Sequence, residues 1–186
     1  PMSEPILWSF RRCPYAMRAR LALRAAGLRV ELREILLRDK PAAFMAASPS
    51  GTVPCLETGA DILDESLDIM VWALRQSDPM GLLEMPPQGW EMIQMVDGPF
   101  KTALDHTKYA VRYPDLDPGA ERAKAAALLD PLALRLRDQP WLFGPAPSLA
   151  DFAILPFVRQ FANTDRAWFD GQGWPGLQDW LDRFVD

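Results

Sequence analysis

At 186 residues, with 49% hydrophobic and 24% charged side chains, the chain can bury a real core as one large domain or two small ones, and its composition is that of an ordinary globular protein. A formal net charge of -5 argues against a nucleic-acid partner, because no basic face offsets it, although the arginines between Arg11 and Arg38 make the N-terminal part locally basic. No apolar run approaches membrane-spanning length and no leader with a cleavage site is visible, so no membrane association is expected, and two cysteines without a leader point to a reducing, cytoplasmic setting.

Met2 reads as the natural start, with Pro1 a remnant ahead of it. Pro5 to Phe10 is a short apolar run with two bulky aromatics and reads as a buried strand. Met17 to Ala26 lacks β-branched residues, glycine and proline and reads as a helix that Gly27 stops. Pro14 suits its first position, where the missing N–H would have had no partner anyway. Cys13 therefore falls at the cap of a helix that leaves a strand, where unpaired N–H groups and the positive end of the helix dipole favour an anion. Thiols in such positions commonly titrate at about 3.5 to 7.5, and Arg11 and Arg12 add positive charge. Cys13 is the candidate nucleophile; the competing reading, a buried structural cysteine, sits badly between a strand end and a Pro-started helix among arginines.

Leu28 to Ile35 alternates apolar and charged residues, the pattern of a half-buried strand. Lys40 to Ala47 is a short helical piece opened by Pro41, and Thr52 to Thr58 a strand interrupted by Pro54, which implies an edge position or a special turn. Gly59-Ala60-Asp61 turns into Ile62-Leu63, and Asp64-Glu65-Ser66 caps an apolar helix from Leu67 to Gln76. The predicted order is β-α-β-α-β-β-α over residues 1–77. Residues 78–88, rich in proline and glycine, read as a linker, and residues 89–186 as an all-helical domain. Within it Gly98-Pro99 marks a kink, 114–119 a loop, 121–138 a helix containing Pro131, 148–162 an apolar helix and 175–184 a closing amphipathic one.

Four short motifs, in this order and spacing, carry a resemblance that covers essentially the whole chain: Cys13-Pro14-Tyr15-Ala16, Gly51-Thr52-Val53-Pro54, Asp64-Glu65-Ser66 and Ser148-Leu149-Ala150-Asp151. Together they resemble the glutathione S-transferases of cysteine type, with an omega-like or glutaredoxin-like active-site motif. The resemblance implies a thioredoxin-like N-terminal domain followed by an all-α domain, and a cis Pro54 that turns the Val53 backbone outward to pair with the cysteinyl backbone of glutathione. It also implies the γ-glutamyl carboxylate on the Ser66 hydroxyl and N–H, Glu65 facing the glutathione ammonium, and Lys40 near the glycyl carboxylate. Ser148 has Asp151 three residues on, a capping-box arrangement that serves folding. Ser66 has Ile69 at that offset, so its helix end keeps donors for an outside anion.

A cysteine in place of the family's serine or tyrosine implies attack on disulfides and a glutathione mixed disulfide. Ala16 stands where dithiol glutaredoxins have a second cysteine, leaving a monothiol route. The expected function is that of a glutathione-dependent thiol transferase, with glutathione as co-substrate, no metal, and an unidentified small-molecule or disulfide acceptor. Conjugation of glutathione to electrophiles, or a non-catalytic binding protein of the same fold, are the alternatives. Cys55 reads as core packing, and His106 as a surface helix residue rather than a catalytic one. The helix from Leu67 to Gln76 is apolar on more than one side, from which a homodimer is expected.

Overall fold

The computed structural model describes residues 4–184, so the expected start at Met2, with Pro1, lies outside the described residues. The chain divides into two compact units between Leu83 and Glu84. In the first, the order is β1 (Ile6–Ser9), α1 (Pro14–Ala25), β2 (Glu31–Glu34), α2 (Ala42–Ala47), β3 (Cys55–Glu57), β4 (Ile62–Leu63) and α3 (Ser66–Gln76). The four strands form one sheet in the order β2-β1-β3-β4, with β1 parallel to β2 and the other pairs antiparallel. This is the thioredoxin-like arrangement that the motif order implied, followed by a helical unit.

Strand alternation sorts the sheet's side chains onto two faces. Leu7 and Leu56 lie opposite each other in register and are fully buried. Trp8 and Cys55 pair on the opposite face and cluster with Ile35 and Phe44, the Trp8 and Phe44 rings 5.7 Å apart. Helix α1 packs on α3, and the alanines of its buried stripe (Ala16, Ala19 and Ala22) let the two backbones approach. Gly27 ends α1 at φ +72°, a conformation that costs other residues more.

Two local expectations change. Strand β2 is four residues long and pairs with β1 alone, so it is an edge; Leu32 is 53% exposed, and the core contribution comes from Ile35 just past the strand. Strand β3, in contrast, is an inner strand despite its proline. Pro54 precedes the first paired residue, Cys55, so no ladder hydrogen bond needs the N–H it lacks.

The second unit runs α4 (Pro87–Met95), a π turn (Val96–Phe100), α5 (Lys101–Lys108), α6 (Pro118–Arg135), α7 (Leu149–Thr164), α8 (Arg166–Asp170) and α9 (Pro175–Asp182). The Gly98-Pro99 kink takes the form of that π turn, because widening the helix accommodates a residue without an N–H. Helix α6 starts three residues earlier than expected: Asp117 caps it through Gly119 N–H at 3.1 Å, and Pro118 takes the first position. The short α8, capped by Asp165, was not legible in the apolar pattern.

Asp151 holds this unit together. Fully buried, it accepts from Ser148 N–H at 2.8 Å and Ser148 Oγ at 3.0 Å with one oxygen, and from Leu142 N–H and Trp180 Nε1–H, both at 2.9 Å, with the other. Burial raises its pKa even against these donors. With the folded value raised, its contribution to stability is complete below the ordinary carboxylate range and declines as pH rises through the folded value. Removing the carboxylate strands several buried donors, each worth about 1–3 kcal/mol when unsatisfied. Asp151→Ala should therefore cost about 3 kcal/mol or more in urea unfolding, and Ser148→Ala about 1 kcal/mol; equal losses for the two variants would contradict this assignment.

Candidate active site

Cys13 is the N-cap residue of α1, in extended conformation, and its side chain makes no capping bond. Its N–H closes a turn on Phe10 O at 3.1 Å and its carbonyl accepts from Met17 N–H at 2.9 Å, so the backbone is held while the residue remains partly exposed. The surrounding charge is organised by Arg20, two helical turns further along. Its guanidinium donates to Ser9 Oγ and, at 3.0 Å, to Arg11 O, pinning the end of β1 to the loop before the cysteine. Partial burial lowers the Arg20 pKa, opposed first by the nearby Glu34 carboxylate, which also accepts from Arg11 N–H.

The Val53–Pro54 peptide bond is cis, as the resemblance implied. Val53 packs its side chain against the Trp8–Phe44 cluster, and among the described residues its N–H and C=O take no partner. The preceding loop is tied down: Ser48 Oγ accepts from Gly51 N–H at 3.1 Å and donates to Thr52 O at 3.3 Å. Gly51 sits at φ +67°, with the space a Cβ would enter already bounded by Met45 Cε at 3.3 Å. The Lys40 ammonium donates to Gly51 O at 2.9 Å, so Lys40 is part of this loop's scaffold.

Ser66 is not the cap of α3. The N-cap is Glu65, exposed and without a side-chain capping bond, and Ser66 is the first helical residue. Its hydroxyl is buried and accepts from Arg18 Nε at 2.8 Å. Arg18, in the buried stripe of α1, reaches the hydroxyl across the α1–α3 contact and takes it away from any local capping geometry.

The sheet register draws these pieces to one end of the first unit. Trp8 opposite Cys55 places the exit of β1, which leads to Cys13, beside the entry of β3, which Val53 and Pro54 precede. The Arg18–Ser66 bond ties the second turn of α1 to the first turn of α3. Arg18 and Arg20 were not singled out from the sequence, though a signal existed: Arg18 stands on the stripe with Ala22 at the helical spacing of a core position.

His106 lies elsewhere, in the second unit, and is half-buried rather than a surface residue. Its ring packs at a tilt against Tyr113 with centroids 4.5 Å apart, and Nδ1 lies 3.3 Å from Glu121 Oε2 without the alignment of a hydrogen bond. Glu121, on α6, also meets Lys124 Nζ at 3.1 Å, which is the main reason its pKa is lowered. Among the described residues no cluster of three or more His, Cys, Asp or Glu side chains could hold a metal ion, and no helix is long and apolar enough to cross a membrane.

A thioredoxin-like unit with a cysteine at its first helix cap and a cis Val53–Pro54 bond, followed by a helical unit, is the architecture that the motifs implied. Comparison with known proteins agrees. Residues 7–80 match the family described as glutathione S-transferase, N-terminal domain, and residues 103–183 match glutathione S-transferase, C-terminal domain. Protein IN2-1 of Zea mays is 35% identical over 179 residues, which are 91% of this chain and 72% of that protein. Glutathione S-transferase omega-1 of Rattus norvegicus is 38% identical over 68 residues, 36% of this chain and 28% of its own. Among solved structures, glutathione transferase Omega 3C from Trametes versicolor superimposes with a TM-score of 0.81 at 19% identity, covering 98% of this chain and 81% of that one. The chain belongs to the glutathione S-transferase family. It is an enzyme of the glutathione transferase or oxidoreductase kind.

The two thiols should behave oppositely. Burial pushes the Cys55 pKa up to about 11, and the side chain is inaccessible. A small alkylating reagent near neutral pH should label Cys13 in the native protein and reach Cys55 only on unfolding. Because the folded Cys55 value is raised, its contribution to stability holds below the ordinary thiol range and is lost as pH rises towards about 11. Peptide mapping of the labelled protein checks the first point, and denaturant midpoints measured up to that pH check the second.

Proposed function

We propose that the protein is a glutathione-dependent thiol transferase in which Cys13 is the nucleophile and Val53, Pro54, Glu65, Ser66 and Lys40 bind glutathione. The observation that carries the reading is Cys13, partly exposed at the α1 N-cap after β1, with a cis Val53–Pro54 bond ahead of β3, the strand β1 pairs with, and a Val53 backbone that takes no partner among the described residues. In this reading glutathione adds its cysteinyl backbone to Val53 as an extra strand would, bringing its sulfur towards Cys13. Its γ-glutamyl carboxylate takes the first-turn N–H groups of α3 and the Ser66 hydroxyl, and Glu65, exposed at the N-cap, meets the ammonium. Lys40 holds Gly51 O with one of its three protons and offers the others to the glycyl carboxylate.

The chemistry is thiol–disulfide exchange. The Cys13 thiolate attacks the glutathione sulfur of a glutathione mixed disulfide; the new S–S bond forms as the old one breaks, and the acceptor leaves as a thiolate that takes a proton. A second glutathione thiolate then attacks the glutathione sulfur on Cys13, releasing oxidised glutathione and restoring the Cys13 thiolate. The acceptor is reduced, two glutathiones are joined, and no internal disulfide is needed. Ala16 offers no second sulfur, and the fully buried Cys55 supports the same monothiol route. The setting is cytoplasmic, where reduced glutathione is abundant.

Brief exposure to oxidised glutathione should add one glutathionyl unit, mapped by intact mass and peptide analysis to Cys13, removed by reduced glutathione and absent in Cys13→Ser. An internal Cys13–Cys55 disulfide would refute the monothiol route, and no adduct at all would favour conjugation or simple binding. The homodimer is a further part of the proposal. Besides its buried side, α3 carries Leu67, Val71 and Trp72 only half-buried, apolar surface that a second copy can cover. Light scattering at micromolar concentration should report twice the chain mass; a monomer mass would overturn that part alone.

A further inference from the structure

Arg18 is 3% exposed in a chain where most arginines face solvent, and its guanidinium carbon lies 5.4 Å from the Tyr15 ring centroid. Arginine does not shed its charge on burial, so such a side chain persists only where its donors are used. One of them, Nε–H, is aimed at the Ser66 hydroxyl at 2.8 Å.

A serine hydroxyl has one proton and two lone pairs. With a lone pair occupied by Arg18, the Ser66 O–H must point away from the guanidinium. Helical serines usually donate to the carbonyl three or four residues back. Ser66 cannot do so within a helix, because it is the first residue of α3 and those positions, Ile62 and Leu63, belong to β4. Among the described residues no acceptor takes its proton. The buried Ser66 hydroxyl thus keeps its proton unspent among the described residues, at the start of an 11-residue helix where the N–H groups of Ser66, Leu67 and Asp68 lack intrahelical acceptors.

We infer that Arg18 is a positioning residue for carboxylate recognition: by occupying Ser66 Oγ as an acceptor it orients the hydroxyl proton towards the γ-glutamyl carboxylate of glutathione and sets a fixed positive charge behind it. The inference rests on the placement of that carboxylate at α3 given above and adds the residue that makes the site selective for it. The guanidinium and the carboxylate then stand about 5 Å apart through the hydroxyl oxygen, close enough for opposite charges to favour the ionised ligand. Lysine at position 18 would keep the charge and lose the rigid Nε–H.

The test compares dissociation constants, by calorimetry, for glutathione and for the analogue whose γ-glutamyl α-carboxylate is replaced by hydrogen. The proteins are wild type, Arg18→Lys, Ser66→Ala and the double variant. Wild type should prefer glutathione. Arg18→Lys should lose about tenfold in glutathione affinity, the scale of one hydrogen bond to a charged group, while the analogue's constant barely moves. In the Ser66→Ala background Arg18→Lys should have little further effect. Equal losses for both ligands, or an undiminished effect without the serine hydroxyl, would show a merely structural arginine and overturn the inference. If Arg18→Lys does not fold, nitrogen-15 NMR of wild type decides. The Arg18 Nε–H signal should exchange slowly and shift on adding glutathione but not the analogue, and a signal indifferent to glutathione overturns the inference. A wild type that binds the two ligands equally overturns the α3 carboxylate site and this inference together, whereas discrimination that survives in Arg18→Lys removes Arg18 alone.

Discussion

The antiparallel pairing of β1 with β3 is the constraint on which the candidate site depends. Cys13 and Val53 belong to motifs some forty residues apart, and neither has a direct bond to the other. They are neighbours because Trp8 stands opposite Cys55, so that β1 ends where β3 begins. The pairing is reinforced on the same face by the Trp8 Nε1–Glu57 Oε2 bond at 2.6 Å and by the Trp8–Phe44 ring contact. A one-residue slip would turn Trp8 and Cys55 out of their cluster and expose the face that Leu7 and Leu56 now bury. Register is therefore fixed by the core, and the site inherits it.

The second constraint is the close approach of α1 and α3. An alanine stripe permits the contact, and Arg18 exploits it by sending a charged side chain across to Ser66. The hydroxyl does not end the helix; it is presented by it. The two helices that begin near serine use that residue in opposite ways. At α7, Ser148 and Asp151 consume each other's hydrogen-bonding capacity, and Asp151 extends the network to Leu142 and Trp180, so the polar groups are satisfied inside the fold. At α3 the partner is an arginine, which can only donate, and the helix start keeps its donors.

Arg20 plays a quieter part. It ties Ser9, at the end of β1, to the carbonyl of Arg11, so the loop that delivers Cys13 is held by the helix it precedes. With Glu34 accepting from Arg11 N–H, the turn is anchored from the edge strand as well. The backbone around Cys13 is thus fixed from three elements while the residue stays partly exposed, a combination that suits a nucleophile better than a packing residue.

What the sequence determined by itself was whatever rests on near neighbours in the chain. Pro14 and Gly27 bound α1, the Gly59-Ala60-Asp61 turn sits between β3 and β4, and the Ser148–Asp151 pair caps α7, because caps, turns and proline effects act within a few residues. The cis bond at Pro54 came from the resemblance, since local preference favours trans. The tertiary structure alone decided the rest. Alternation over Leu28–Ile35 could not show that β2 would be an edge with Leu32 uncovered, because that depends on which strand pairs beyond it. Ser66 was legible as a helix-start serine but not as a buried acceptor for Arg18, a residue 48 positions away. His106 looked like a surface residue until Tyr113 and Glu121 closed on it. Local sequence sets where elements start and stop; which side chains meet across them is set by packing and register, which no short window contains.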